Sequence, residues 1–286
     1  MIDVFKFKGK EKEKGISLLI LAGIHGNEIA GIEALNRLIE ELNNGKIKLL
    51  AGSLTLVPVC NPLAYQKDVR QIDENLNRVI KMHKNPATYE QQLANEICPL
   101  IASHDLMLDL HSTHTKGDEP FAFCDYPDKY NQKLISALNV KYILTGWPTI
   151  YQENKDISDC STEEYAHRVQ KRGTTLECGY HKDKKSIELA YQSVINALSI
   201  FGFIKEKNIL DQAKEEVQLT SYVVKEKEGA LTQNYKHLDK IKKGETIARY
   251  QDGETKIAPF DGYILLPNPS AEIGAEWYYL GQKISL

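Results

Sequence analysis

The first part of the chain, about two hundred residues, alternates between segments typical of buried strands and segments with helical periodicity. Residues Ile16 to Ala22 form a largely apolar run, which is typical of a strand buried on both faces. A helical stripe of apolar residues then runs from Ile29 to Leu42, and Asn43-Asn44-Gly45 favours a helix end. This alternation predicts an α/β fold, with a mixed sheet flanked by helices.

The remaining segments extend this pattern and then change character. Further strands are predicted at Ser53 to Val59, Asp105 to Leu110, Phe121 to Cys124, Tyr142 to Leu144 and Thr174 to Cys178, and further helices at Tyr89 to Ser103 and Ile187 to Phe201. The charged stretch from Lys205 to Glu216 is predicted to be helical or linking. From Val217 onward, short β-like segments separated by glycine and proline predict a small all-β domain. Its turn sequence from Ala258 to Ile264 resembles that of barrel-sandwich domains, so we predict two domains, residues 1–204 and 205–286.

Composition restricts the partners of this chain. A net charge of −3 over 286 residues argues against nucleic acid or an anionic membrane as a partner, and it leaves room for a small anionic substrate. The lysine-rich start lacks the apolar core of a signal peptide, and no apolar run is long enough to cross a membrane. The five cysteines lack Cys-x-x-Cys spacing, which indicates reduced, partly buried thiols. We therefore predict a cytoplasmic protein, with its oligomeric state left open.

One histidine is placed where an α/β fold commonly binds ligands. In Gly23-Ile24-His25-Gly26-Asn27-Glu28, an imidazole and a carboxylate lie three residues apart, directly after the first strand and before a helix. Among the eight histidines, only His25 has a glutamate three residues later. Ligands of open α/β sheets collect beyond the carboxyl ends of strands, so this pair is a candidate half of a metal site.

A third metal ligand is predicted at the end of another strand. His111 follows the apolar run Leu106 to Leu110, where that strand is expected to end in a polar loop. Two imidazoles and one carboxylate leave a fourth position open, which is the arrangement of catalytic zinc. Asp109, two residues earlier on the same strand face, is a candidate hydrogen-bond partner for a ligand histidine. His114, further into the loop, is the rival ligand.

A base and a carboxylate-binding cluster complete the candidate site. Glu177 lies inside a short strand flanked by glycines, where an acid is costly unless it is paired or part of a site. It is a candidate general base, and the alternative is a solvated acid at a strand end. Arg70, Asn77 and Arg78 share a polar loop, and guanidinium groups match the two oxygens of a carboxylate. Solvated surface arginines are the alternative for this loop.

These segments together resemble the succinylglutamate desuccinylase and aspartoacylase family, relatives of the zinc carboxypeptidases. The motifs that carry the resemblance occur in the family's order: Gly-x-His25-Gly-Asn-Glu28, Asn61-Pro62, Arg70 with Asp73, Asn77-Arg78, Asp109-Leu110-His111 and Glu177-x-Gly179. The resemblance implies a zinc carboxypeptidase-like fold and one Zn²⁺ per chain, held by His25, Glu28 and His111. Glu177 would be the general base and acid, and Arg70 would polarise the scissile carbonyl group. Asn77 and Arg78 would bind the substrate carboxylate.

Three further positions resemble substrate-binding residues of the family. Arg168, preceded by Tyr165, resembles a second arginine of aspartoacylases, although its spacing to Glu177 differs by one residue. The segment Trp277-Tyr278-Tyr279 resembles the tyrosine pair that the small domain contributes to the site. Either Tyr278 or Tyr279 could correspond to it, and Tyr279 is the residue we select. After Asp109-Leu110-His111, aspartoacylases continue with Asn-Thr-Thr, whereas this chain has Ser112-Thr113-His114.

The resemblance implies a zinc-dependent hydrolase that cleaves the amide bond of an N-acyl amino acid or a similar small carboxylate. Two alternatives remain open at this point. One is a zinc carboxypeptidase-like enzyme acting on peptides or cell-wall fragments, and the other is a non-catalytic module that binds a metal or a carboxylate. Access to the site distinguishes the first alternative, because an open groove admits peptides. The presence of Glu177 argues against the second, because binding alone requires no base.

Overall fold

The computed structural model describes residues 1–11, 15–153, 160–206, 209 and 213–284. The strands are β1 Phe5–Lys8, β2 Ser17–Ala22, β3 Ser53–Val57, β4 Leu106–Thr113, β5 Phe121–Phe123, β6 Tyr142–Thr145, β7 Arg172–Tyr180, β8 Glu215–Val224, β9 Gly229–Leu231, β10 Asp239–Ile241, β11 Thr246–Tyr250, β12 Thr255–Ile257, β13 Gly262–Leu265 and β14 Glu276–Lys283. The helices are α1 Ile29–Asn43, α2 Pro62–Gln66, α3 Tyr89–Ser103, α4 Lys129–Ala137, α5 Trp147–Glu153, α6 Thr162–Arg168 and α7 Lys184–Ile200, with a short 3₁₀ helix at Leu76–Arg78.

Eleven strands form one mixed sheet in the order β1-β3-β2-β4-β7-β5-β6-β8-β14-β13-β10. The central strands β3, β2, β4 and β7 are parallel neighbours. Strand β5 pairs antiparallel with β7 and parallel with β6. A second sheet contains β12, β11 and β9. The predicted α/β fold with a mixed sheet is therefore confirmed.

The sheet is buried on both faces, as the apolar run from Ile16 to Ala22, now strand β2, predicts. Along β2, Leu18 and Ile20 belong to one apolar cluster, with side chains of α1, α4 and α7. Leu19 and Leu21 point to the other face and pack with side chains of α3 and α6. The helices therefore cover both faces, which leaves the ends of the central strands as the accessible part of this region.

The C-terminal all-β region is present, and its strands continue the main sheet. Strand β8 pairs in parallel with β6, so the hydrogen bonding of the sheet crosses the predicted boundary near residue 205. Strands β14, β13 and β10 follow it in antiparallel pairs. Glu215 and Glu216, the end of the predicted linking stretch, belong to β8, while residues 207, 208 and 210–212 of that stretch lie outside the described residues. The division into residues 1–204 and 205–286 stays a prediction.

Two further observations concern the chain as a whole. All five cysteines are buried, and none forms a disulfide. Among the residues that the structure describes, no helix combines the length and apolar character needed to cross a membrane.

Candidate metal and substrate site

The candidate site lies where β2, β4 and β7 end beside one another. His25 and Glu28 occupy the connection from β2 to α1, and Ile29 begins the helix. His111 lies in β4 and pairs in register with Glu177 of β7. Strand β4 continues to Thr113, so the expected strand end before His111 is wrong. His111 therefore has a fixed backbone position within the sheet.

Close packing explains the glycine between His25 and Asn27. A Cβ atom on Gly26 would lie 2.2 Å from the carbonyl carbon of Ala64 and from the backbone nitrogen of Tyr65, both in α2. The Gly26 N–H also donates a hydrogen bond to the Arg70 carbonyl at 3.1 Å. The loop of His25 is thereby attached to the segment that carries Arg70.

His25, Glu28 and His111 converge on one point. His25 Nδ1 lies 2.7 Å from Glu28 Oε1, and His111 Nδ1 lies 3.0 Å from Glu28 Oε2. One nitrogen or oxygen atom from each side chain lies within 4.8 Å of the others, and all three residues are buried. Within the described part of the chain, this is the one group of three or more His, Cys, Asp or Glu residues with such a geometry.

The outer nitrogens of both imidazoles also have partners. His111 Nε2 lies 3.0 Å from Asp109 Oδ2, as the sequence suggests, and Thr162 Oγ1 donates a hydrogen bond to the same oxygen at 2.6 Å. His25 Nε2 lies 2.9 Å from Asn75 Oδ1. These contacts fix both rings, with Nδ1 directed to Glu28.

Electrostatics keep the central carboxylate ionised. Burial acts to raise the pKa of Glu28, but the charges and hydrogen bonds of His25 and His111 outweigh it, so the pKa lies well below its ordinary value. Burial lowers the pKa of His25, which favours its neutral form. For His111, burial acts to lower the pKa, but the charges and hydrogen bonds of Asp109 and Glu28 raise it well above its ordinary value, which favours the protonated form. An ionised carboxylate and neutral imidazoles are the forms that bind metal ions, so His111 must release its proton when a cation binds.

Glu177 has the opposite electrostatic character. Burial raises its pKa to about 8, and the nearby negative charge of Glu28 acts in the same direction. Its Oε2 atom is buried and has no hydrogen-bond partner. A carboxylate with one buried, unpartnered oxygen beside a candidate metal group is typical of a proton-transfer residue.

The loop between α2 and α3 supplies the predicted arginines. Arg70 Nη1 donates to Glu28 Oε1 at 2.9 Å, and the Arg70 side chain is half exposed. Asn77 Oδ1 accepts a hydrogen bond from the Thr162 N–H at 3.1 Å. Arg78 lines the same cavity as Arg70 and Asn77. The structure thus brings the three loop residues to the candidate metal group.

This cavity has a volume of about 720 Å³ and is lined by both parts of the chain. His25, Glu28, His111 and Glu177 belong to its lining. The C-terminal region contributes Tyr279 of β14, whose ring centroid lies 4.7 Å from that of Trp147. Trp277 and Tyr278 instead pack in a separate apolar cluster of the C-terminal region. A cavity of this size suits a small molecule.

Two of the predicted substrate-binding residues lie elsewhere. The cavity lining includes neither Tyr165 nor Arg168. Tyr165 packs towards α3, where its hydroxyl group meets the Cys98 thiol. Arg168 Nε donates to Glu164 Oε1 at 2.6 Å within α6, and its Nη1 lies 3.6 Å from Cys160 Sγ. The rival ligand His114 lines the cavity but is exposed and lies outside the metal group.

The sequence predictions missed several residues of this site. Thr162 and Glu164 come from α6, a seven-residue helix that begins after Ser161. Ser161 accepts a hydrogen bond from the Glu164 N–H, and its Ser-x-x-Glu spacing was a signal for this helix start. Asn75 and the buried acid Glu90 showed no such signal, because their roles depend on contacts between distant segments.

Fold and site together define a class of α/β proteins that hold a His-Glu-His group at the carboxyl ends of neighbouring parallel strands. The family model of the succinylglutamate desuccinylase/aspartoacylase catalytic domain matches residues 14–196, more than half of the chain. The chain belongs to this family.

Relatives of known sequence and structure agree with this assignment. A succinylglutamate desuccinylase of Pseudomonas putida (strain GB-1) is 31% identical over 178 residues, which are 59% of this chain and 52% of that protein. The chain thus spans about half the length of the first curated relatives it matches. One from Pseudomonas syringae pv. tomato is 26% identical over 281 residues, 92% of this chain and 82% of that protein. The crystal structure of a succinylglutamate desuccinylase/aspartoacylase from Rhodobacter sphaeroides superposes with a TM-score of 0.78 at 15% identity, covering 100% of this chain and 90% of that chain, and shows the shared fold.

Proposed function

We propose that the protein is a zinc-dependent deacylase, which hydrolyses the amide bond of an N-acyl amino acid or a similar small carboxylate. One observation carries the proposal: the His25-Glu28-His111 group faces the same cavity as Glu177 and Arg70. Family membership supports a deacylase reaction, because the matching relatives are named as desuccinylases. The proposed partner is the small carboxylate substrate, without nucleic acid or membrane, in the cytoplasm.

The donor set fits one zinc ion. Two imidazole nitrogens and a carboxylate are the three protein ligands of many catalytic zinc sites, which leave one position open. His25 and His111 have their outer nitrogens paired with Asn75 and Asp109, as ligand histidines do. Zinc in such a site supplies Lewis acidity, lowering the pKa of water to about 7 and polarising a carbonyl group.

The side chains of the protein supply proton transfer, charge stabilisation and substrate binding. Glu177, with its pKa raised by burial to about 8, can accept a proton from the attacking water at Oε2 and donate it to the departing nitrogen. The Arg70 guanidinium is the candidate for stabilising negative charge on the substrate carbonyl oxygen. The Arg78 guanidinium and the Asn77 amide are the candidates for binding the substrate carboxylate.

The cavity favours small molecules over peptides. Strand β14 and the segment from Leu266 to Pro269 border it on the side of the C-terminal region. Tyr279 is almost fully buried in this border, where it packs against Trp147. These features support a small N-acyl amino acid more than an extended peptide or a cell-wall fragment. The non-catalytic alternative does not explain why Glu177 lines this cavity with its Oε2 atom buried and unpartnered.

Metal content and turnover in four variants test the proposal. We expect His25→Ala and His111→Ala to lose stoichiometric zinc, while the matched control His114→Ala, in the same cavity, keeps it. Glu177→Gln should keep zinc and lose about 10²- to 10⁴-fold in turnover of N-acyl amino acids, because proton transfer is removed. Zinc retained in both ligand variants, or faster cleavage of short peptides than of any N-acyl amino acid, would refute the proposal.

A further inference from the structure

Glu90 is a completely buried carboxylate outside the metal group, on the first turn of α3. Oε1 accepts hydrogen bonds from the Ile72 N–H at 2.8 Å and from Asn61 Nδ2 at 3.1 Å. Oε2 accepts from the N–H groups of Asp73 at 3.0 Å and of Glu74 at 3.3 Å. Three consecutive backbone amides therefore point at one buried anion, and charge-assisted hydrogen bonds of this kind are strong.

The segment that Glu90 holds is the substrate loop, which we define as residues 70–78. It carries Arg70, Asn75, Asn77 and Arg78, all of which line the cavity. Glu90 lies outside that lining, so its influence on the cavity passes through the backbone of this loop. The three amides that it binds lie between Arg70 on one side and Asn75 on the other.

The start of α3 adds further attachments to the same loop. The Tyr89 N–H donates to Asp73 Oδ2 at 2.8 Å, and Gln91 Nε2 donates to Glu74 Oε1 at 2.9 Å. Asn61, which binds Glu90, also accepts a hydrogen bond from the Ala64 N–H at the start of α2. Asn61 and Asp73, which belong to motifs without an assigned role in the sequence, thus help to hold this loop.

We propose that Glu90 is a positioning residue for the substrate loop, which sets the placement of Asn77 and Arg78 and thereby the affinity for the substrate carboxylate, while the Arg70 carbonyl group is held separately by the Gly26 N–H. The inference rests on the proposed function and deepens it. An ionised carboxylate accepts hydrogen bonds on both oxygens, whereas a glutamine at this position presents an amide N–H₂ to backbone N–H groups. The loop then loses part of its support, while His25, Glu28 and His111 keep their own contacts.

The test compares Glu90→Gln with wild type and with the matched control Glu96→Gln, an acid on the same helix that binds the Ile2 N–H instead. We expect the KM for N-acyl amino acids to rise roughly tenfold or more in Glu90→Gln, with a smaller change in kcat and an unchanged zinc content. Amide hydrogen exchange at residues 72–74 should accelerate by about tenfold. The Glu96→Gln control should match wild type in all of these measurements.

A second variant covers the case in which Glu90→Gln does not fold. Gln91→Ala removes the weaker attachment to Glu74 from a partly exposed position, and should raise KM about threefold with faster exchange at residue 74. Wild-type KM and wild-type exchange at residues 72–74 in the folded variants would overturn the role of Glu90. Hydrogen exchange requires no substrate, so it tests the role of Glu90 even if the wild-type protein hydrolyses no N-acyl amino acid. Such a lack of hydrolysis would count against the proposed function alone.

Discussion

His237 shows how one buried side chain makes the stability of this protein depend on pH. Its Nδ1 accepts a hydrogen bond from the Leu266 N–H at 3.0 Å, its Nε2 has no partner, and its ring lies 4.3 Å from that of Phe121. Burial lowers the pKa of His237 to about 3, from an ordinary value of 6.5. The unfolded chain therefore binds more protons than the folded protein between these two values.

This difference predicts a loss of stability in acid. The contribution of His237 is fully present above about pH 6.5 and is lost as the pH falls towards 3, with about 2 kcal/mol lost between pH 7 and pH 5. The variant His237→Asn keeps an acceptor for the Leu266 N–H and removes the titration. Urea unfolding at both pH values should therefore show a smaller decrease in the variant. A matched control, His167→Gln at an exposed position, should decrease as wild type does, and an equal decrease in all three proteins would contradict the prediction.

At the scale of residues, the sequence predicts the side chains that would bind the metal, and it does not predict the side chains that act by holding other segments in place. His25, Glu28 and His111 meet as predicted at one edge of the parallel sheet, although β4 continues two residues past His111. Arg168 is different: its motif places it near the site, but Glu164 four residues earlier binds its side chain. Glu90 could not be assigned, because its role consists of hydrogen bonds to a loop that the sequence alone does not fold against it.

At the scale of elements, the sequence predicts the bounds of helices and strands well where they are long and apolar, and poorly where a strand ends in polar residues. The predicted helix Tyr89 to Ser103 has the bounds of α3, and the predicted strand Ile16 to Ala22 differs from β2 by one residue. Strand β4 exceeds the predicted Asp105 to Leu110 because its last residues, although polar, face a cavity rather than solvent. Periodicity identifies burial against apolar neighbours, and it does not identify burial against a binding site.

The contact of α1 with the sheet provides a test at the scale of elements. A Cβ atom on Gly31 would lie 2.7 Å from Leu110 Cβ and 3.0 Å from Ala22 Cβ, so Gly31→Ala pushes α1 away from β2 and β4. We expect the free energy of unfolding to fall by about 1–2 kcal/mol, although alanine favours helix more than glycine does. Urea denaturation measures this change. The exposed Glu33→Ala on the same helix is the control, and a stabilised Gly31→Ala would show that propensity outweighs the steric conflict.

At the scale of the whole molecule, the eleven-stranded sheet includes strands from both parts of the chain. Trp147 belongs to an apolar cluster with Val217, Leu219 and Tyr279, so side chains from both sides of residue 205 share this core. Trp277 lies instead in the cluster confined to the C-terminal region. A shared sheet and a shared core favour a single cooperative unfolding transition.

The two tryptophans of the chain allow this expectation to be measured. In Trp147→Phe, fluorescence reports on Trp277 in the C-terminal region, and in Trp277→Phe it reports on Trp147 in the shared core. Within each variant, we expect fluorescence and far-UV circular dichroism to give the same urea midpoint. A separate Trp277 transition in Trp147→Phe would show that the C-terminal region unfolds alone, as two independent domains would require.

The proposed ligands come from two separate segments, the connection from β2 to α1 and strand β4, and this separation would link the supply of cations to the lifetime of the protein. Glu28 and His111 are 83 residues apart, so an unfolded chain cannot hold the complete ligand set. A cation that binds only the folded protein, at one hundred times its dissociation constant, adds about 2.7 kcal/mol to folding. Without metal, the chain would unfold more often and be cleaved more often by proteases. The cellular level of this protein would therefore follow the availability of metal.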